Sequence, residues 1–211
     1  MTQGKSDMPV KNQLSANGKL NLFNRFRDNS DGVAAVEFAL VVPLLLALYL
    51  GTVEISNAIT VSKQTARVAG TIADLVTQQS EVKKADLKDI MDIGSSIYFP
   101  YSAAKPVIKI YGIDVDDDHP KGGKVVWSRK LSNGADSAGI PAGTDILVPT
   151  KLKIDETFVV KVTVEIEYRP VVTWVIGQKT DGNGDSYTAL DMDDTYWLRP
   201  RLSDDVKCTD C

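Results

Sequence analysis

The sequence predicts an α+β protein: one very long N-terminal helix, a second shorter helix, then an antiparallel sheet. Three observations carry that prediction. An apolar run from Val33 to Val53 contains a single charged residue, Glu37. A proline-free amphipathic stretch, Glu54 to Gln79, continues it. Strand-like alternation begins only at Val107 and is clearest from Phe158 to Tyr168. Helices first and strands afterwards is an α+β order.

The chain opens with a polar segment, Met1 to Asp31, rich in Asn, Ser, Lys and Gly. It has no sustained apolar periodicity and is expected to be disordered. Lys5, Lys11, Lys19, Arg25 and Arg27 precede the apolar run, whereas only Lys63 and Arg67 follow it at comparable distance. The positive-inside rule then leaves the N-terminus in the cytoplasm and exports everything after Val53. The run itself matches the roughly 20 helical residues that span a bilayer. The organisation expected is a basic leader over 1–32, a transmembrane helix over 33–53 and an exported domain over 54–211. A secretory signal is the competing reading, with Ser56-Asn57-Ala58 as its cut site. Such signals need an apolar core of only about 7–15 residues.

Gly32 ends the leader, and Glu37 is the fifth residue counted from Val33. This arrangement resembles the prepilin cleavage site of type IV pilins and pseudopilins. The resemblance implies that a membrane peptidase cuts after Gly32, leaving Val33 as a new, usually methylated, N-terminus. Glu37 lies at i+4 from Val33, on the same helix face. Its carboxylate can answer that amine, or the amine of an adjacent subunit, where water cannot. A carboxylate at the centre of a membrane helix costs about 2.5–3.5 kcal/mol, less near an end, so Glu37 reads as functional or as snorkelling to the interface.

Within the span, Ala35 and Ala39, then Ala47 and Gly51, are spaced for close helix approach, or reflect composition alone. Pro43 removes one backbone hydrogen bond and predicts a kink or local loosening. Beyond the span, Ile55, Ile59, Ser62, Ala66, Ala69, Ala73 and Val76 recur in steps of three and four, widened by Val61, Val68, Ile72 and Leu75. That broad face suits a sheet of the same chain or a seam against partner subunits. Span plus continuation makes one helix of roughly 45 residues, about 70 Å long.

A second helix is expected from Lys84 to Tyr98, with Ser80 as its N-cap, no capping box, and Pro100 ending it. Val107 to Tyr111 and Lys124 to Ser128 read as strands around an Asp- and Gly-rich turn. Leu131 to Asp145 reads as loop. Val160, Val162, Val164, Ile166 and Tyr168 alternate with Lys161, Thr163, Glu165 and Glu167, a half-buried strand. Thr180 to Ser186 is a polar loop, and Tyr196-Trp197-Leu198 a last short strand.

Little points to catalysis or cofactors. The only histidine, His119, sits in an Asp-rich turn. No nucleophile elbow or phosphate-binding glycine loop appears. The net charge of −4 and the lack of a basic tract argue against nucleic acid. Asp181-Gly182-Asn183-Gly184-Asp185 has the oxygen spacing that opens a calcium loop. Ser186 then replaces the turn glycine and Met192 falls where the bidentate acid belongs, so a solvated hairpin tip is expected. Asp114, Asp116, Asp117 and Asp118 likewise read as a polar turn. No enzyme activity, metal, cofactor or small-molecule substrate is expected.

Cys208 and Cys211 are the only cysteines. Cys-x-x-Cys can be a redox pair, half a zinc site or a local disulfide. A redox pair wants a thioredoxin-like context, and zinc wants four ligands. The predicted export to an oxidising compartment favours an intramolecular disulfide, with intermolecular pairing as the alternative. The bond is expected to pin the tail against Arg199-Pro200-Arg201.

Several short pieces, in this order, resemble the TadE-like family of tight-adherence (Flp) pilus proteins. They are Ala35-Val36-Glu37-Phe38-Ala39 with its proline, Arg67 to Leu75, Val126-Trp127-Ser128, Tyr168-Arg169-Pro170, Trp174, and Tyr196 to Arg201. The resemblance implies a pilin-like fold, a long helix against a sheet. It implies a minor pseudopilin of the inner membrane, its C-terminal domain periplasmic, that assists assembly or secretion of Flp pili used in surface attachment. Implied partners are prepilin peptidase, other pilin and pseudopilin subunits and the pilus assembly platform. The alternative is an uncleaved, membrane-tethered binding or chaperone-like domain that never enters a filament.

Overall fold

The computed structural model describes residues 32–98, 105–116, 120–170, 178–180 and 186–211. The leader to Asp31, Pro100, Asp117, Asp118, His119, Trp174 and the Asp181 to Asp185 loop lie outside the described residues. The chain divides into two compact units, Met1–Tyr49 and Leu50–Cys211. The predicted α+β class is what the structure has.

Helix α1 runs Val33–Thr77, 45 residues, with Pro43 inside it. In the first unit its side chains are largely exposed, as argued below. In the second unit it becomes a core helix from Val61 onward. Val61, Thr65, Val68, Ala69, Ile72, Ala73 and Val76 are buried in steps of three and four, the spacing of one helix face. Thr65 and Thr77 lie on that face because their hydroxyls donate back to the Val61 and Ala73 carbonyls, at 3.0 and 2.9 Å. The predicted face holds there but not before it. Ile55, Ile59 and Ser62 are exposed. Periodicity locates a stripe; it does not say how much of that stripe the sheet is long enough to cover.

A two-residue strand, β1 (Glu81–Val82), separates α1 from α2 (Lys84–Ser96). The N-cap of α2 is therefore Lys83, not Ser80. Lysine has no acceptor to offer, but Asp86 at N3 accepts from the Lys83 backbone N–H at 3.0 Å, half of a capping box. Leu87, Met91 and Gly94 of α2 are buried. Gly94 permits the close approach to α1: a β-carbon there would come within 2.5 Å of the Ile72 Cδ1.

The main sheet is antiparallel, in the order β4-β3-β2-β5-β8. Its strands are β2 (Val107–Val115), β3 (Lys124–Ser132), β4 (Ala135–Ala138), β5 (Thr157–Tyr168) and β8 (Leu190–Leu198). A hairpin of β6 (Gln178–Thr180) and β7 (Ser186–Thr188) precedes β8. β5 alternates as predicted. Its even-numbered residues from Phe158 to Tyr168 join the cluster that includes the buried face of α1. On the opposite face a smaller cluster gathers Tyr111, Ile113, Val115, Val125, Val148 and Val159. The pairing of β2 with β3 shifts register between Gly112 and Ile113, so Val126 is the extra residue of a bulge. Gly112 lies under the Trp127 and Phe158 rings, where no β-carbon fits.

Two expectations change here. Leu131 to Asp145 is not simply loop: β3 turns into β4 through Asn133 and Gly134, both at positive φ. Asn-Gly at those angles is the turn that matches the twist of a two-residue hairpin. That hairpin carries Asp136 to Arg129, a largely buried ion pair. The final strand of the sheet is also longer than Tyr196 to Leu198. It begins at Leu190, where acidic residues hide its alternation.

Candidate functional site

The stretch that begins at Gly32 is set apart by exposed apolar surface. Val33, Val36, Phe38, Leu40, Leu44, Leu45, Leu46, Leu48 and Tyr49 are all exposed, Leu40 by 74%. They point in every direction around α1. In water such a surface would be strongly unfavourable, because burial of apolar area is the main stabilising term in folding. A helix apolar on all sides belongs in a core or in lipid. α1 is long and apolar enough to cross a membrane, and its most apolar window has none of its residues buried within the chain. It is a candidate membrane anchor.

Gly32 stands immediately before the helix and Val33 is its first residue. Both are exposed, as is Glu37, one turn further in. α1 has no acidic residue in its first turn, so Glu37 is the first acid after its N-terminus, whose unsatisfied N–H groups favour negative charge. Pro43 lies inside the helix, which continues through it. The Ala39 carbonyl there lacks its usual N–H donor. The helix also continues through Ser56-Asn57-Ala58, and Ala58 packs against the core.

Glu54 sits just beyond the apolar run, and the Tyr168 hydroxyl donates to its Oε1 at 2.5 Å across 114 residues of sequence. This bond joins α1 to the end of β5. Burial first, and then the Glu54 carboxylate, push the Tyr168 hydroxyl well above the usual phenol range. Sequence reasoning missed this pair, because nothing local in the chain links the two residues.

Cys208 and Cys211 lie at disulfide-bonding distance, with Cα atoms 5.6 Å apart. The tail's backbone pairing is with the helix junction: β9 (Lys207–Cys208) pairs in parallel with β1. The indole N–H of Trp127 donates to the Val206 carbonyl at 2.7 Å. Arg201 pairs with Asp74 of α1 at 2.6 Å, and its backbone N–H donates to the Thr77 carbonyl at 3.0 Å. Asp210 accepts from the backbone N–H of Lys84, the first residue of α2, at 2.8 Å. The cysteines and Asp210 bring possible metal ligands together, but thiolates are what bind metal, and a disulfide has none.

On the sheet face away from α1, the Lys161 ammonium lies 5.5 Å from the Tyr111 ring and 5.1 Å from the Trp197 ring. Burial, and secondarily Lys109, lower its pKa. The arrangement is a cross-strand cation–π ladder that packs the sheet surface.

Residues 32–74 match a family model described as TadE-like protein. The matched segment includes Gly32, Val33, Glu37, Pro43 and Glu54, and ends inside α1. No curated protein and no solved structure matches the chain.

Proposed function

We propose that this chain, TadE-like over residues 32–74, is a minor pseudopilin that assists assembly or secretion of Flp pili. In this reading α1 anchors it in the inner membrane, with the domain after the span in the periplasm. Prepilin peptidase cuts between Gly32 and Val33. The matured protein then acts with other pilin subunits and the assembly platform. The role requires no catalytic residue and no cofactor. One observation carries the reading: an unburied apolar helix starts at Val33, directly after Gly32, with one acid a turn inside. A mature Val33 amine in lipid would need a counter-charge. Glu37, at i+4 or across to a neighbouring subunit, is the acid placed to supply it.

Glu37→Ala tests this. Insertion and cleavage should proceed nearly as in wild type, while pilus output falls sharply. The variant leaves an uncompensated cation in low dielectric, a penalty of up to roughly 3–5 kcal/mol. Wild-type pilus output from Glu37→Ala would show that the carboxylate has no part in assembly.

A further inference from the structure

The hydrogen bonds of residues 207–210 converge on one place. β1 and the start of α2 form the junction between the two helices. The Lys207 N–H donates to the Ser80 carbonyl and the Thr209 N–H to the Val82 carbonyl, both at 3.2 Å. Asp210 caps the first N–H of α2. Thr209 and Asp210 are the two residues enclosed by the Cys208–Cys211 ring. Both are exposed. An exposed strand pairing of two residues opens readily, and the ring encloses the tail residue of each of these two donor–acceptor pairs. Cys211 is exposed while Cys208 is half-buried, so one sulfur is open to a reagent from solvent.

We propose that Cys208–Cys211 is a redox-controlled lock on the helix junction. Closed, it keeps β9 on β1 and Asp210 on the N-terminus of α2. Opened, it releases both. The opening reagent is a dithiol. Its thiolate attacks the Cys211 sulfur, the Cys208–Cys211 bond breaks, and Cys208 leaves as a thiolate that takes up a proton. The second thiol of the reagent then attacks the mixed disulfide and releases Cys211 as a thiol. Two electrons pass to the protein and the dithiol becomes a disulfide. Closure is the reverse, with a disulfide-bearing oxidant as acceptor. The lock is therefore shut in an oxidising compartment and open in a reducing one. It stands whether or not the chain enters a filament.

Site-resolved hydrogen exchange on the full chain in detergent micelles tests the proposal. The oxidised protein is compared with protein reduced by dithiothreitol and with Cys208→Ser/Cys211→Ser. Reduction and the double variant should each speed exchange about tenfold, the factor of an ordinary helix cap, at the amides of Lys84, Lys207 and Thr209 and the Trp127 indole. The amides of β2 and β5 should not change. Asp210→Ala, with the disulfide intact, should affect the Lys84 amide and spare Lys207. Equal exchange at the tail sites in oxidised and reduced protein would overturn the lock. So would acceleration spread evenly over the sheet, which would make the bond a global staple.

Discussion

Asp136→Ala should be among the most damaging single substitutions outside the apolar core. Asp136 sits on β4 and accepts from Arg129 of β3 through both carboxylate oxygens, with Nε to Oδ1 at 3.2 Å and Nη2 paired to Oδ2. The side chains are 9% and 16% exposed. Arg129 is directly opposite Ile110 on β2, whose side chain is wholly buried. Guanidinium cannot shed its proton to escape the loss of its partner. Removing one member of such a buried pair costs about 3–5 kcal/mol, because the remaining charge stays desolvated. Replacing both members with apolar residues removes the penalty instead. Arg129→Met/Asp136→Leu should therefore recover most of the loss. Urea unfolding in a fixed detergent, followed by far-UV circular dichroism, gives the three midpoints. A loss below about 1 kcal/mol for Asp136→Ala, the range of a surface pair, would refute the reasoning. So would a double variant no better than the single.

Gly112→Ala would set a β-carbon 2.5 Å from the Trp127 Nε1 and 2.7 Å from the Phe158 Cζ. It should cost about 1–3 kcal/mol and shift the indole signal of Trp127, read by NMR. Tyr168→Phe removes the hydroxyl that meets Glu54. The expected loss is about 1.5–3 kcal/mol, that of a hydrogen bond to a charged group, measured by thermal unfolding in micelles. Burial pushes the Tyr98 hydroxyl from 10.0 up to about 12. The folded state holds that proton longer than the unfolded state, so its contribution is complete below about pH 10 and is lost as pH rises toward 12. A pH series of unfolding midpoints should fall across that window in wild type and fall less in Tyr98→Phe.

The parts legible in the sequence are those that repeat. β5 alternates through Val160, Val162, Val164 and Ile166, and α1 shows three- and four-residue spacing from Val61 to Val76. Either pattern is strong enough to fix which residues are inside. The Gly32–Glu37 spacing is a single local motif with no period, and the structure places both residues, exposed, at the start of α1. The Asn133-Gly134 turn was also there to be read, but Gly- and Ser-rich neighbours disguised it as loop. Pairings of two residues, such as β1 with β9, have no period at all. The Glu54–Tyr168 and Asp210–Lys84 contacts join residues more than a hundred positions apart. Only the folded sheet brings them together.

The most direct test of the account is the intact mass of the protein extracted from the membrane of its native cell. The proposed function predicts a chain that begins at Val33, with or without one added methyl, and Gly32→Leu should abolish that species. A chain retaining Met1 would contradict pseudopilin processing and leave α1 as a plain tether. A chain beginning at Ile59 would contradict the anchor itself.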